Sequence, residues 1–281
     1  MAPGARQTEN RPGLFLQPSR TGLNLPAPLC ANCGALRRGP WCDQCGQHGE
    51  MAHRSIGKLI LEALAHFTDL DGKVMTTLRR LAFHPGRLTR DYLAGRRMSQ
   101  VAPLQLFLII LVVFLFIADR NVNVEFRPPH GQVMKLPPHL AWLVPIGNFI
   151  HTHGPLYLET LRSSAEIFGF LTVPIAALLL WLLYWPRHMP LYDHLIFAMH
   201  ALSFFFIIMA VNLVLPDNLG WLGLLVFLTL PVHLFGHLRG VYGGAAGRTL
   251  LRMAMLAVGL SASYLSLLMI WFAVAYLSLR G

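Results

Sequence analysis

All four cysteines of this chain, Cys30, Cys33, Cys42 and Cys45, fall as C-x2-C-x8-C-x2-C in the run CANCGALRRGPWCDQCGQ. A C-x2-C turn brings two sulfurs of one tight loop onto one ion, and two such turns supply the four thiolates of a tetrahedral zinc site. Gly34 and Gly46 each follow the second cysteine of a pair, where a residue tolerant of positive φ completes the turn. Four cysteines leave no open coordination position, so the expected ion is a structural Zn2+ that folds a ribbon and does not catalyse. About 20 residues cannot bury a useful core, so metal binding is expected to supply most of the ribbon's folding free energy. Trp41 and Leu36 are its expected apolar contacts, and Arg37 and Arg38 its exposed charge. Two disulfides disagree with the reducing side on which the loop charges place this segment. A thioredoxin-like redox role lacks the surrounding βαβ pattern.

The other candidates for chemistry lie in apolar surroundings, where ionisable groups are costly and mark function by default. His233 and His237 are four apart and share a helix face. His194 and His200 are six apart, about 120° around the axis, so only one of them can point at a given partner. A metal, haem or proton site from His200, His233 and His237 is the sharp reading. The plain one puts His194 and His237 in the headgroup layer and bonds His200 and His233 to neighbouring carbonyls or hydroxyls. His151-Thr152-His153, with His130 and His139 near it, reads as a solvated loop rather than a metal site. Asp69 and Asp71 imitate a D-x-D motif and His66 to Asp71 an H-x4-D signature, but Asp71 has a simpler role as a helix N-cap. No G-x-S-x-G, Walker or dinucleotide fingerprint is present.

The elements that hold these residues are set by an apolar composition. With 54% hydrophobic and 13% charged residues, against about 25% charge in soluble domains, the chain reads as mainly α and polytopic in a membrane. Five runs approach the roughly 20 apolar residues that cross the hydrocarbon: 101–118, 165–185, 194–215, 219–237 and 253–279. The N-terminal region and the loops that fall on its side of the membrane hold 18 Lys and Arg, and the loops and terminus on the opposite side 5. The positive-inside bias therefore puts the N-terminus in the cytoplasm and, with five spans, the C-terminus outside. The connection 119–164 is the longest, and its Leu140 to Ile150 stretch suggests a partly ordered cap or a re-entrant interfacial segment. Gly259, Ser263 and Ser266 in the last span suggest close helix packing.

Ahead of the spans, residues 1–28 lack the apolar core of a signal peptide and read as a disordered tail, and 29–49 as the ribbon. Residues 53–100 read as basic amphipathic helices, with Ile56, Leu59, Ile60, Ala63, Leu64 and Phe67 in one, Val74, Leu78 and Leu81 in a second that Pro85-Gly86 ends, and Leu88 and Tyr92 beyond. Residues 101–281 form the transmembrane domain. Fourteen of the 23 Lys and Arg precede residue 101, so these helices are expected flat on the cytoplasmic leaflet, on anionic lipid headgroups. Nucleic acid is the weaker reading of the same charge.

The run CANCGALRRGPWCDQCGQ, then LDGKVMTTLRRLAFHPGRLTRDYLAGRR, LYDHLIFAMHALSFF and HLRGVYGGAAGRTLLR, resembles an uncharacterised bacterial family of polytopic inner-membrane proteins with an N-terminal zinc ribbon. The likeness is most specific in the ribbon and in Thr77, Leu78, Pro85, Tyr92, Gly95 and Arg96. It implies a topology and an inner-membrane address, and no substrate. The leading expectation is a non-enzymatic membrane protein whose ribbon docks a cytosolic partner or the membrane surface. A small permease, and a membrane enzyme or metal or haem protein using the histidines, are the alternatives.

Overall fold

A computed structural model describes residues 29–37, 39–48, 57, 73–121 and 165–278. The N-terminal tail, the helix expected around Ile56 to Phe67 apart from Gly57, Asp69, Asp71 and the 122–164 connection with its histidines lie outside the described residues. The architecture is helical: α1 Lys73–Phe83, α2 Pro85–Leu93, α3 Pro103–Asn121, α4 Ala165–Leu183, α5 Leu191–Val214, α6 Gly220–Tyr242 and α7 Ala246–Ser278. Among the described residues there is no strand, only the isolated bridges Leu29 to Leu36 and Trp41 to His48 in the cysteine head.

Four stretches, Pro103–Asn121, Leu191–Val214, Asp217–Tyr242 and Ala246–Val274, are long and apolar enough to cross a membrane, and Ile167–Leu183 is a shorter apolar fifth. The third and fourth expected spans begin and end within a few residues of α5 and α6. The last starts earlier than expected, because Gly243 and Gly244 adopt positive φ and the helix then resumes at once, carrying Arg248 and Arg252 on its first turns.

α5 is central and packs against α3, α4 and α6, while α7 leans on α4 and α6. It can occupy that place because it is apolar on every side, as a helix surrounded by others must be. Ile196, Phe197, Ala198 and Met199 are all buried, against Ala177 and Leu180 of α4 and Phe107 and Leu111 of α3 in one continuous core. Gly259 of α7 lies against Leu179 of α4, where an added Cβ would stand 3.1 Å from that side chain. Ser263 and Ser266 turn back to bond the carbonyls four residues earlier. At the end where α3, α5 and α7 begin and α4 and α6 finish lie Arg187, Arg239, Arg248 and Arg252; the other end carries Arg120 alone among the described Lys and Arg.

The largest departure from expectation concerns α1 and α2. Pro85-Gly86 ends α1, as expected, and also starts the next helix: α1 stops at Phe83, His84 leaves helical geometry (φ −139°, ψ 51°), and Pro85 takes the first position of α2, where its missing N–H costs nothing. The two helices do not present one apolar stripe to a surface. Leu81, Leu88, Thr89 and Tyr92 are fully buried, and α2 packs against α5 and α6. Together they form a helical wedge driven into the basic end of the bundle. α2 closes by a Schellman motif: Gly95 (φ +88°) donates to the Tyr92 carbonyl and Arg96 to that of Asp91, satisfying end carbonyls that the helix cannot. The Arg96 guanidinium pairs with the Asp91 carboxylate, which Arg80 and Arg87 also approach. Thr77 of α1 accepts a 3.0 Å bond from the Val101 amide, pinning the wedge to the start of α3.

Candidate functional site

The two cysteine turns are built alike. Gly34 donates to the Cys30 carbonyl and Gly46 to that of Cys42; Cys30 donates to Ala35 and Cys42 to Gln47, all at 2.8–2.9 Å. The two glycines have φ of +75° and +71°, the strain-free conformation for glycine alone. The turns face each other, so the close sulfur pairs cross between them: Cys30 to Cys45 at 3.6 Å and Cys33 to Cys42 at 3.5 Å. All four Sγ atoms lie within 4.8 Å of one another, and none is in a disulfide. Sulfurs held at about 2.3 Å in a tetrahedron around one ion stand roughly 3.8 Å apart, so this set fits a single metal ion. The four cysteines are positioned to bind one.

The thiols are prepared for it. The backbone N–H of Cys33, helped by that of Asn32, holds the Cys30 thiol down at about 6 against the effect of burial. At Cys33 the Ala35 amide pulls the same way, but burial and the sulfurs of Cys42, Cys45 and Cys30 outweigh it and push that thiol up to about 12. The Cys30 thiolate forms readily and that of Cys33 is resisted by the neighbouring sulfurs, a repulsion that a divalent cation in their midst removes.

Leu36 and Trp41 do not cover the head. They are 63% and 60% exposed, and Leu29 is 58% exposed. The reason is geometric: with the sulfurs at the centre there is no interior for side chains, so the apolar ones point outward. The head rests instead on the turn after α2, where Gln47 Nε2 donates to the Gly95 carbonyl at 2.8 Å, Ala31 meets Gly95, and Gly46 meets Met98.

The histidines form the second cluster, and the wedge organises them. Thr89 of α2, absent from the sequence reading, places its hydroxyl 2.9 Å from His200 Nδ1 and 2.8 Å from His237 Nε2. A hydroxyl has one proton, so it can donate to one ring only and must accept from the other. His233 Nε2–H donates at 2.7 Å to the carbonyl of Leu81, one of the carbonyls that the end of α1 leaves without a helical partner. His233 stacks on Phe204 at 3.6 Å and His237 on Phe197 at 4.0 Å. His200 and His237 therefore share the Thr89 hydroxyl while His233 holds the Leu81 carbonyl, so the three rings do not converge on one point. Among the described residues, only the four cysteines bring three or more His, Cys, Asp or Glu donors close enough to share an ion. His194 and His237 are fully buried among the helices; His194 Nδ1 bonds the Tyr242 hydroxyl at 2.8 Å.

The wedge packs tightly because of two glycines. A Cβ on Gly86 would stand 2.7 Å from the Gly240 Cα, and one on Gly240 the same distance from that of Gly86. One signal in the sequence could have found this contact: Thr89 is three residues from Gly86, as His237 is from Gly240, so a glycine crossing would bring hydroxyl and ring together.

Replacing His233 by alanine is expected to destabilise the protein by about 1–3 kcal/mol, the cost of a buried carbonyl left without its donor. Thermal unfolding in detergent would measure it, and His233→Gln, which keeps an N–H, should recover part of the loss. Equal stability of His233→Ala and wild type would remove the capping role.

Residues 71–115 match a family described as Protein of unknown function (DUF3667). That segment covers α1, α2 and most of α3, and so includes Thr89, Leu81 and Gly86. No curated protein matches the chain. No solved structure matches it.

Proposed function

We propose that this is a non-enzymatic bacterial inner-membrane protein that holds a structural zinc ribbon on the cytoplasmic face and uses it to dock a cytosolic protein. The observation that carries this reading is the exposure of Leu29, Leu36 and Trp41 together on the metal head. A closed set of four thiolates suits an ion that holds a shape. The head's footing on the Gly95 turn gives it a fixed attitude, which a docking surface needs. The positive-inside bias supports the orientation, since Arg, at Arg187, Arg239, Arg248 and Arg252, collects at the end where the head sits.

The distribution of polar groups weighs against a permease. The buried Thr89, Asp91, Asp193, His194, His200 and His237 gather toward the basic end. Toward the other end Asn212 and Thr172 spend their side chains on backbone carbonyls of their own helices. Among the described residues no line of polar groups continues across.

A Leu36→Ser/Trp41→Ser double variant tests the reading. It should insert normally, keep its zinc, and lose at least about tenfold in recovery of a cytosolic protein that co-purifies with wild type, as expected when aromatic anchors of an interface are removed. Unchanged recovery would refute docking through the head.

A further inference from the structure

Between α1, α3 and α5 lies an open groove of about 720 Å³ lined entirely by apolar side chains. Leu81 and Ala82 of the wedge close its inner end, and Val113, Ile117, Phe204 and Leu215 belong to its walls. Along α5 the lining runs from Phe204 to Val214, ten residues or about 15 Å of helix, half of the roughly 30 Å hydrocarbon layer. The groove thus spans one leaflet, from the wedge tip to the end of the bundle opposite the metal head. An apolar void facing hydrocarbon forfeits dispersion contacts along its whole lining, and a flexible apolar chain entering from the same layer restores them.

A charge just beyond the lining residues of α3 indicates what carries that chain. Ile109, Val113 and Ile117 line the groove at i, i+4 and i+8. Arg120 continues the same stripe one turn further, at 100° per residue, over the face of Phe116 at 4.9 Å. It is the one described Lys or Arg at that end of the bundle. We infer that the groove binds one phospholipid of that leaflet, with an acyl chain along Val113 and Ala210 down to Leu81 and the phosphate on Arg120. The occupied groove would press on Leu81 and Phe204, the residues that accept the His233 hydrogen bond and stack on its ring, so the lipid reinforces the wedge.

The test uses the full chain reconstituted in phosphatidylethanolamine nanodiscs containing a small fraction of a phosphatidylethanolamine with a diazirine in mid-chain, followed by peptide mapping of the photoadducts. Adducts should concentrate on Val113, Ile117, Ala210 and Val211, at least about fivefold over Leu265 and Met269 on the exposed face of α7. Ala210→Trp, which fills the groove, should abolish the concentrated adducts and spare those on α7, and Arg120→Gln should lower them severalfold. If Ala210→Trp fails to fold, Val113→Trp takes its place. Labelling spread evenly over groove and α7, labelling unaffected by tryptophan, or a groove protected from the probe by another segment or a second copy would each overturn the assignment.

Discussion

A chain carrying Cys42→Ser is expected to purify with close to no zinc, against one ion per chain for the wild type, and to expose the head to protease at Arg37 while the spans stay intact. Structural zinc contributes about 10–16 kcal/mol of apparent binding free energy at neutral pH in segments of this size. The head has nothing to replace it: its regular backbone pairing is two isolated bridges, and Leu29, Leu36 and Trp41 are mostly exposed. Serine removes the sulfur that stands 3.5 Å from Cys33 and offers an alcohol that does not ionise near neutral pH. The bundle should scarcely respond, because the head's described hydrogen bond to it, Gln47 to the Gly95 carbonyl, is worth about 1 kcal/mol. Elemental analysis and limited proteolysis read the two effects separately. A Cys42→Ser chain that retains one zinc would disprove the four-sulfur site, and iron in the wild type would disprove the assignment to zinc.

The cysteine site was legible from spacing because its ligands are near in sequence and the glycine after each pair reports its own backbone need. The spans were legible because hydrocarbon imposes a length on any helix that crosses it. The wedge was not, and the reason is instructive. Val74, Leu78, Leu81, Leu88 and Tyr92 do recur at helical spacing, with arginines between them, and that pattern suits a helix on a membrane surface as well as one set into the end of a bundle. What separates the two is the partner surface: small residues on α6 at Gly240 and polar ones at His233 and His237, some 150 residues away. The histidines were recognised as unusual by their setting alone. Their role depends on Thr89 and on the Leu81 carbonyl, and a backbone carbonyl has no signature in a sequence. The match to a family of unknown function over residues 71–115 takes in this wedge together with most of α3.

That wedge yields the second large effect. Gly240→Ala is expected to destabilise the bundle by about 3 kcal/mol or more. Its new Cβ would meet the Gly86 Cα at 2.7 Å, and the obstacle is backbone, so no side-chain rotation relieves it. Overpacking costs about 1–3 kcal/mol by itself. Pushing α2 away also strains the bonds from Thr89 to His200 and His237, both fully buried, where each lost partner costs about 1–3 kcal/mol. Gly236, one turn earlier on the same helix, has nothing within 4 Å of an added Cβ, so Gly236→Ala should be neutral or stabilising by up to about 1 kcal/mol through helix propensity. Denaturant unfolding in micelles distinguishes the pair, which share helix, residue type and substitution and differ only in what the methyl group meets. The Gly86→Ala/Gly240→Ala double variant sharpens the point. Each single change already breaks the same contact, so their combined cost should fall short of the sum, the sign of two residues acting as one interaction. Strict additivity would mean that the two glycines are required for separate reasons, and that α2 is not seated on α6 through this crossing.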